Sequence, residues 1–216
     1  MPRIAGQIDP KKSQAILDAA SELFAEMGGA VTMDAIAKRA GVSKQTLYNR
    51  FASKADVARA MAAGRSDAIT APLRTGGEPE AVLTALATTM LEKVCHPGKG
   101  TGLRGVTLMS AAFPDIVRAV YDGGPGESLR RLSAWLADQD RGGLLSVPDP
   151  DRAAEMFSGM VLGYGHLRSF MDIPQPWGDQ ITALAADAAR RFLIAFAPAA
   201  RPTRVKPPSP GLETVS

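Results

Sequence analysis

The chain has 216 residues, 45% of them hydrophobic and 6% aromatic, with a formal net charge of +3. That length holds one sizeable domain or two small ones, and the aliphatic bias suits a helical core. A single cysteine, Cys95, excludes an intrachain disulfide and points to a reducing cytoplasm. No run approaches the roughly 18 apolar residues of a membrane span, and no signal-peptide core opens the chain; a cytoplasmic protein without a membrane partner is expected.

The elements follow in chain order. Residues 11–27 place Ile16, Ala19, Ala20, Leu23, Phe24 and Met27 on one helical stripe, with Asp9 as cap, Pro10 at the first position and Gly28-Gly29 as terminator. Thr32 caps a second helix whose inner face is Met33, Ile36, Ala37 and Ala40. Gly41, able to take a positive φ, ends it. Ser43 then caps a short third helix from Lys44, with Leu47 and Phe51 facing inward and Val42 in the turn. Two short helices joined by a tight glycine-containing turn make a helix-turn-helix.

Beyond it, Ser53 caps a helix over 54–70, and 80–94 is amphipathic through Val82, Leu83, Leu86, Ala87, Met90 and Leu91. Segment 97–102 reads as a flexible glycine-rich loop, and helices are expected at 103–113, 114–122, 126–140, 150–171 and 179–197. No run of alternating β-branched residues predicts a strand, so the fold class is all-α. Residues 198–216, with five prolines and few bulky apolar side chains, read as a disordered tail.

Charge singles out the N-terminal part. Residues 1–54 carry eight Lys and Arg against five Asp and Glu, and within 32–54 five cations (Lys38, Arg39, Lys44, Arg50, Lys54) face one acid, Asp34. A polyanion partner fits this cluster, as does a merely solvated face. Chemistry at 32–54 favours the partner. Gln45 and Asn49 can each pair bidentately with an adenine edge, Thr46 offers a methyl and a hydroxyl, and Tyr48 a phenol. Lys44 and Lys54 suit phosphate neutralisation, and the free N–H groups at the starts of the second and third helices, with the hydroxyls of Thr32 and Ser43, suit phosphate contact.

The run VTMDAIAKRAGVSKQTLYNRFASKADV, residues 31–57, resembles the DNA-binding signature of the TetR family of bacterial regulators. That family's pattern, T-x-x-x-I-A-x-x-A-G-V-S-x-x-x-L-Y-x-H-F-x-S-K, is matched by Thr32, Ile36, Ala37, Ala40, Gly41, Val42, Ser43, Leu47, Tyr48, Phe51, Ser53 and Lys54. AILDAASELFAEMG at 15–28 is similar to the family's first helix. Arg50 stands where the family usually has His. Residues 113–145 resemble, more softly, a subgroup common among efflux-linked regulators. The resemblance implies three parts: a DNA-binding domain over 1–54, a ligand-sensing and dimerisation domain over 55–197, and the tail.

It also implies a homodimer through helices 150–171 and 179–197, although their apolar faces also fit burial within one subunit. Two helix-turn-helix units held about one DNA turn apart read a palindrome in double-stranded DNA. A small, apolar effector would then release the operator, the usual outcome being repression. Met90, Met109, Phe113, Trp135, Phe157, Met160, Tyr164, His166 and Phe170 are candidates for its pocket, with Tyr164 and His166 as polar handles; each is equally at home in a plain core.

Gly159, Gly163 and Gly165 are costly on a helix; close helix approach across a dimer or space for a ligand would explain them. Control by a protein partner, or an architectural role, is the rival regulator reading. No cofactor or metal is expected: Cys95-His96 with only His166 elsewhere falls short of a ligand set. A thiol sensor at Cys95 is the residual alternative. An enzyme is not expected either. Asp149 and Asp151 read as helix-start residues, and HPGKGTG at 96–102 lacks the spacing of a phosphate loop.

Overall fold

The structure is a computed structural model that describes residues 10–95 and 100–198. Asp9, His96, the first part of the glycine-rich loop and all but the first residue of the tail lie outside them. Among the described residues there are helices and no strands.

Helix α1 (Pro10–Met27) buries Ile16, Ala19, Ala20 and Leu23, as its stripe demands. Met27, the last residue of that stripe, is half exposed because the helix ends there, at Gly28 with φ of +59°. Then come α2 (Met33–Arg39), α3 (Lys44–Tyr48) and α4 (Lys54–Ile69). Each is capped by the hydroxyl expected: Thr32 Oγ1 accepts from Ala35 N at 3.2 Å, Ser43 Oγ from Thr46 N at 3.1 Å, and Ser53 Oγ from Asp56 N at 3.2 Å. Such caps contribute about 0.5–2 kcal/mol each, a large share for helices of seven and five residues.

Between α2 and α3 the turn is set by Gly41 at φ of +65°, with Val42 N donating to Ala37 O and Gly41 N to Lys38 O. This Schellman closure requires a left-handed residue at position 41, which glycine alone adopts at no steric cost. α3 is too short to persist in isolation, so packing must hold it. Leu47 is fully buried against a cluster of Ile16, Ala20, Leu23, Val31, Ile36, Ala37 and Val57. Phe51, expected on α3, lies just beyond its end but still packs on this cluster, its N–H donating to Leu47 O at 2.9 Å.

The C-terminal part comprises α5 (Pro79–Met90), α6 (Gly100–Leu108), α7 (Pro114–Gly123), α8 (Pro125–Arg141), α9 (Pro150–Met171) and α10 (Ile181–Ala195). α5 runs on into a wide π-helical turn, Leu91–Cys95. α6 departs from expectation at both ends. It begins at Gly100, inside the stretch read as a loop, and stops at Leu108, so that 109–112 form turns. Pro114 disfavours helical backbone at Phe113, whose φ and ψ are −137° and 59°, so the helix cannot run on to that residue. Asp149 caps α9, accepting from Arg152 N at 3.0 Å, and Asp151 accepts from Ser133 Oγ; both are helix-start residues.

A second core is centred on Leu83, Leu86, Leu91, Leu136, Ala154, Phe157, Ala189 and Phe192. Phe157 and Phe192 meet edge to face with ring centroids 5.1 Å apart. α4 belongs to both halves. Its first turns carry Val57 into the N-terminal cluster. Further along, Gly123 of α7 lies so close that a Cβ there would sit 2.4 Å from Arg59 O. On α8, Ser128 Oγ lies 2.9 Å from Ser66 Oγ, and Arg131 donates to Asp67 Oδ1 at 2.5 Å and to Thr70 Oγ1 at 3.0 Å. α4 is therefore fastened to two helices of the C-terminal part.

Candidate nucleic-acid interface

The starts of α2 and α3 lie side by side, because Lys44 Nζ on α3 is 2.5 Å from Asp34 Oδ2 in the first turn of α2. Each first turn exposes backbone N–H groups that lack helical acceptors. The hydroxyls of Thr32 and Ser43 are acceptors for their caps, and Ser43 Oγ also lies 2.8 Å from Thr46 Oγ1. Along the outer side of α3, Gln45, Tyr48 and Asn49 are exposed, Tyr48 by 49%. Gln45 Nε2 donates to Asn49 Oδ1 at 2.6 Å. That bond links two side chains one turn apart and presents their remaining amide groups together.

The cation cluster is more compensated than its sequence suggests. Arg39 donates to Glu26 and Glu22 of α1 at 3.0 Å, which raises its pKa further and lowers that of Glu26. Arg50, the departure from the family pattern, donates to Ser13 Oγ of α1 and is half-buried; it ties α1 to the residues that follow α3. The pKa of Lys44 is raised by its hydrogen bond to Asp34 and by the charge of that carboxylate, but the pair is exposed and solvent screens it. An incoming phosphate can replace Asp34 at little cost. Lys38 is exposed, and its side chain has no hydrogen bond or ion pair among the described residues.

Lys54 is occupied differently. Its Nζ donates to Gly29 O at 2.8 Å and lies 4.8 Å from the centroid of the Phe113 ring. Phe113 in turn covers Gly29 so closely that a Cβ there would fall 2.1 Å from its Cδ2. Met109 makes an ordinary contact at Gly28, its Sδ 3.6 Å from the place of a Cβ. Met109 and Phe113, two of the pocket candidates, thus lie against the α1–α2 turn. Sequence periodicity read Gly28-Gly29 only as a helix terminator; the contact that needs Gly29 comes from 84 positions away and leaves no local signal.

The other pocket candidates divide between core and surface. Met90 and Phe157 are buried in the C-terminal core, and Trp135 packs at its edge. His166 and Phe170 are half-buried on α9. Met160 and Tyr164 line a cleft together, an open one of about 330 Å³ between α9 and α10 that also involves Leu91, Arg168, Trp177, Leu184 and Arg191.

The three glycines of α9 have separate reasons. Gly163 breaks the helix at φ of +39°, Gly165 gives its side-chain space to Trp177 and the Cys95 sulfur, and Gly159 is exposed with nothing against it. Cys95 itself is buried. Burial pushes its thiol up to about 11, partly offset by a hydrogen bond with Ser169. A thiol so protonated is a poor nucleophile. Folded protein should therefore resist iodoacetamide at neutral pH and react quickly once unfolded, as mass spectrometry would read; fast labelling of the native form would revive a sensor role.

Two family profiles match this chain. One described as the bacterial regulatory proteins of the tetR family covers residues 16–61, and one described as the AefR-like transcriptional repressor C-terminal domain covers residues 81–198. None of the curated proteins searched matches. Solved structures agree in fold. The flavonoid-responsive regulator FrrA is 29% identical, with a TM-score of 0.67 over 89% of this chain and 100% of its own. A TetR transcriptional regulator from Agrobacterium tumefaciens is 22% identical, with a TM-score of 0.66 over 89% and 97%. SmeT, solved in complex with triclosan, is 22% identical, with a TM-score of 0.53 over 93% and 99%.

Proposed function

The chain belongs to the TetR family of bacterial regulatory proteins, and from that premise we propose a homodimeric repressor that binds a palindromic operator and is released by a small, mostly apolar ligand. The observation that carries the DNA-binding part is the pairing of two helix N-termini beside an exposed polar face of α3, fixed from within by Leu47. Gln45, Thr46, Tyr48 and Asn49 read base edges in the major groove. Thr32, Ser43 and Lys44, with the first-turn N–H groups, hold phosphates. For Lys54 the phosphate role falls to its backbone N–H at the start of α4, its ammonium being engaged with Gly29 and Phe113. The reading domain ends near residue 54, where α4 begins.

Dimerisation is supported by an uncovered stripe on α9. Met156 and Met160 before the break at Gly163, and Tyr164, Leu167 and Met171 after it, are all exposed, Tyr164 by 75%; Leu184 and Ile194 extend the apolar surface on α10. Large apolar side chains in such a row mark a protein interface, and the exposed Gly159 beside them lets a second helix approach closely. The ligand reading draws on the name of FrrA, a flavonoid-responsive relative. It places the effector in the C-terminal domain.

Selection of bound fragments from genomic DNA, followed by footprinting, tests the proposal. A palindromic site should emerge, bound with a steep loss of affinity on adding salt. Tyr48→Ala, at an exposed position, should weaken that site by about 1–3 kcal/mol without lowering the melting temperature. Operator bound no better than random DNA, with Tyr48→Ala indistinguishable from the parent, would sink it. A thermal-shift screen of small apolar compounds then tests the ligand: an effector raises the melting temperature and releases the DNA.

A further inference from the structure

We propose that the seat of Phe113 on Gly29, clasped by Lys54, is the joint through which the C-terminal domain sets the position of the recognition helix α3. The inference rests on the DNA-binding reading above and adds how that site is regulated. The turn 109–113 between α6 and α7 lies far from the DNA-binding residues in sequence, yet it reaches the α1–α2 turn at two adjacent glycines, Met109 over Gly28 and Phe113 over Gly29. Lys54 closes the arrangement from a third element. Its ammonium holds Gly29 O at 2.8 Å and the Phe113 ring at 4.8 Å, joining the start of α4 to both partners. Elsewhere the N-terminal cluster reaches the C-terminal helices along α4, whose lower half is fixed to α7 and α8. α4 alone would act as a single rod about which the reading unit can rock. The Phe113 seat adds a second point of attachment, and two points define an angle.

α6 packs on α9, the helix that carries the open cleft and the break at Gly163. A displacement of α6 therefore has a direct route to the turn at 109–113. With the ring seated, both reading units of a dimer are held at one spacing. With the ring withdrawn they are not, and only specific binding, which needs both half-sites in register, suffers.

Gly29 makes this testable. Its backbone is not among those at positive φ, so Ala is acceptable there except for the collision with Phe113. Gly29→Ala, Phe113→Ala and the double variant are made in the full-length protein and followed by thermal denaturation without DNA and by affinity for the selected operator. Gly29→Ala alone should lower the melting temperature, and most of that loss should vanish in the Phe113→Ala background, where the methyl group has room. Phe113→Ala should weaken operator binding about tenfold, within the range of ordinary allosteric couplings, while its affinity for random DNA stays unchanged.

Strictly additive effects of the two substitutions on stability would overturn the seat itself. Coupled stability with parental operator affinity would overturn the joint, leaving a packing contact. Neither result touches the DNA-binding reading, which fails separately if the parent protein selects no site.

Discussion

Leu167→Arg should turn the proposed dimer into a monomer and cost about a thousandfold in operator affinity, the low end of the gap between specific and non-specific binding. Leu167 lies within the exposed stripe Met156, Met160, Tyr164, Leu167 and Met171 on α9. On its own the substitution is harmless to the protomer, because the side chain already faces outward. Across a two-fold contact the same guanidinium meets apolar surface, and symmetry repeats that burial on the partner protomer. Burying an unpaired charge costs several kcal/mol, and the association is lost. Light scattering after size-exclusion chromatography measures the mass, and anisotropy with labelled operator the affinity. Leu108→Arg is the control: that side chain is 78% exposed, on α6 and not part of the stripe, and should change neither. A Leu167→Arg protein of unaltered mass would remove α9 from the interface.

The second large effect is expected at Leu47. Leu47→Ala should destabilise the N-terminal unit by about 2–5 kcal/mol, the ordinary range for a buried leucine. Whole domains are stable by only about 5–15 kcal/mol, and α3 has five residues and no stability of its own. Leu47 is its one fully buried side chain, packed in the cluster of Ile16, Ile36 and Val57. Its loss frees the helix that carries Gln45, Tyr48 and Asn49. Urea denaturation should show an early transition for the N-terminal unit, with operator binding abolished. Gln45→Ala, on the outer side, should weaken binding with the denaturation midpoint unchanged. If both variants kept parental midpoints, the account of how α3 is held would be wrong.

Legibility in the sequence followed the range of the interactions concerned. Caps at Thr32, Ser43 and Ser53 act within three residues, and the turn at Gly41 within five; a local pattern was enough to read them. Inner faces such as Ile36 with Ala37, or Leu83 with Leu86, follow from helical periodicity. The start of α6 is not legible in the sequence, because Gly100 and Gly102 are loop-type residues, whereas the non-helical backbone at Phe113 follows from Pro114.

The sequence by itself determined that this chain is all helical, that residues 32–54 form a helix-turn-helix, and that α3 turns a polar face outward. These properties are written in spacing and in side-chain chemistry, and the family resemblance rests on the same residues. Only the tertiary structure decided where the charges go. Arg39 is spent on Glu22 and Glu26, Arg50 on Ser13, and Lys54 on Gly29 and Phe113. It also decided that Met109 and Phe113 lie against the turn between α1 and α2. The reason is common to all of these: a side chain's partner across 13 to 84 positions is chosen by how helices pack. Packing brings together residues that no local pattern relates.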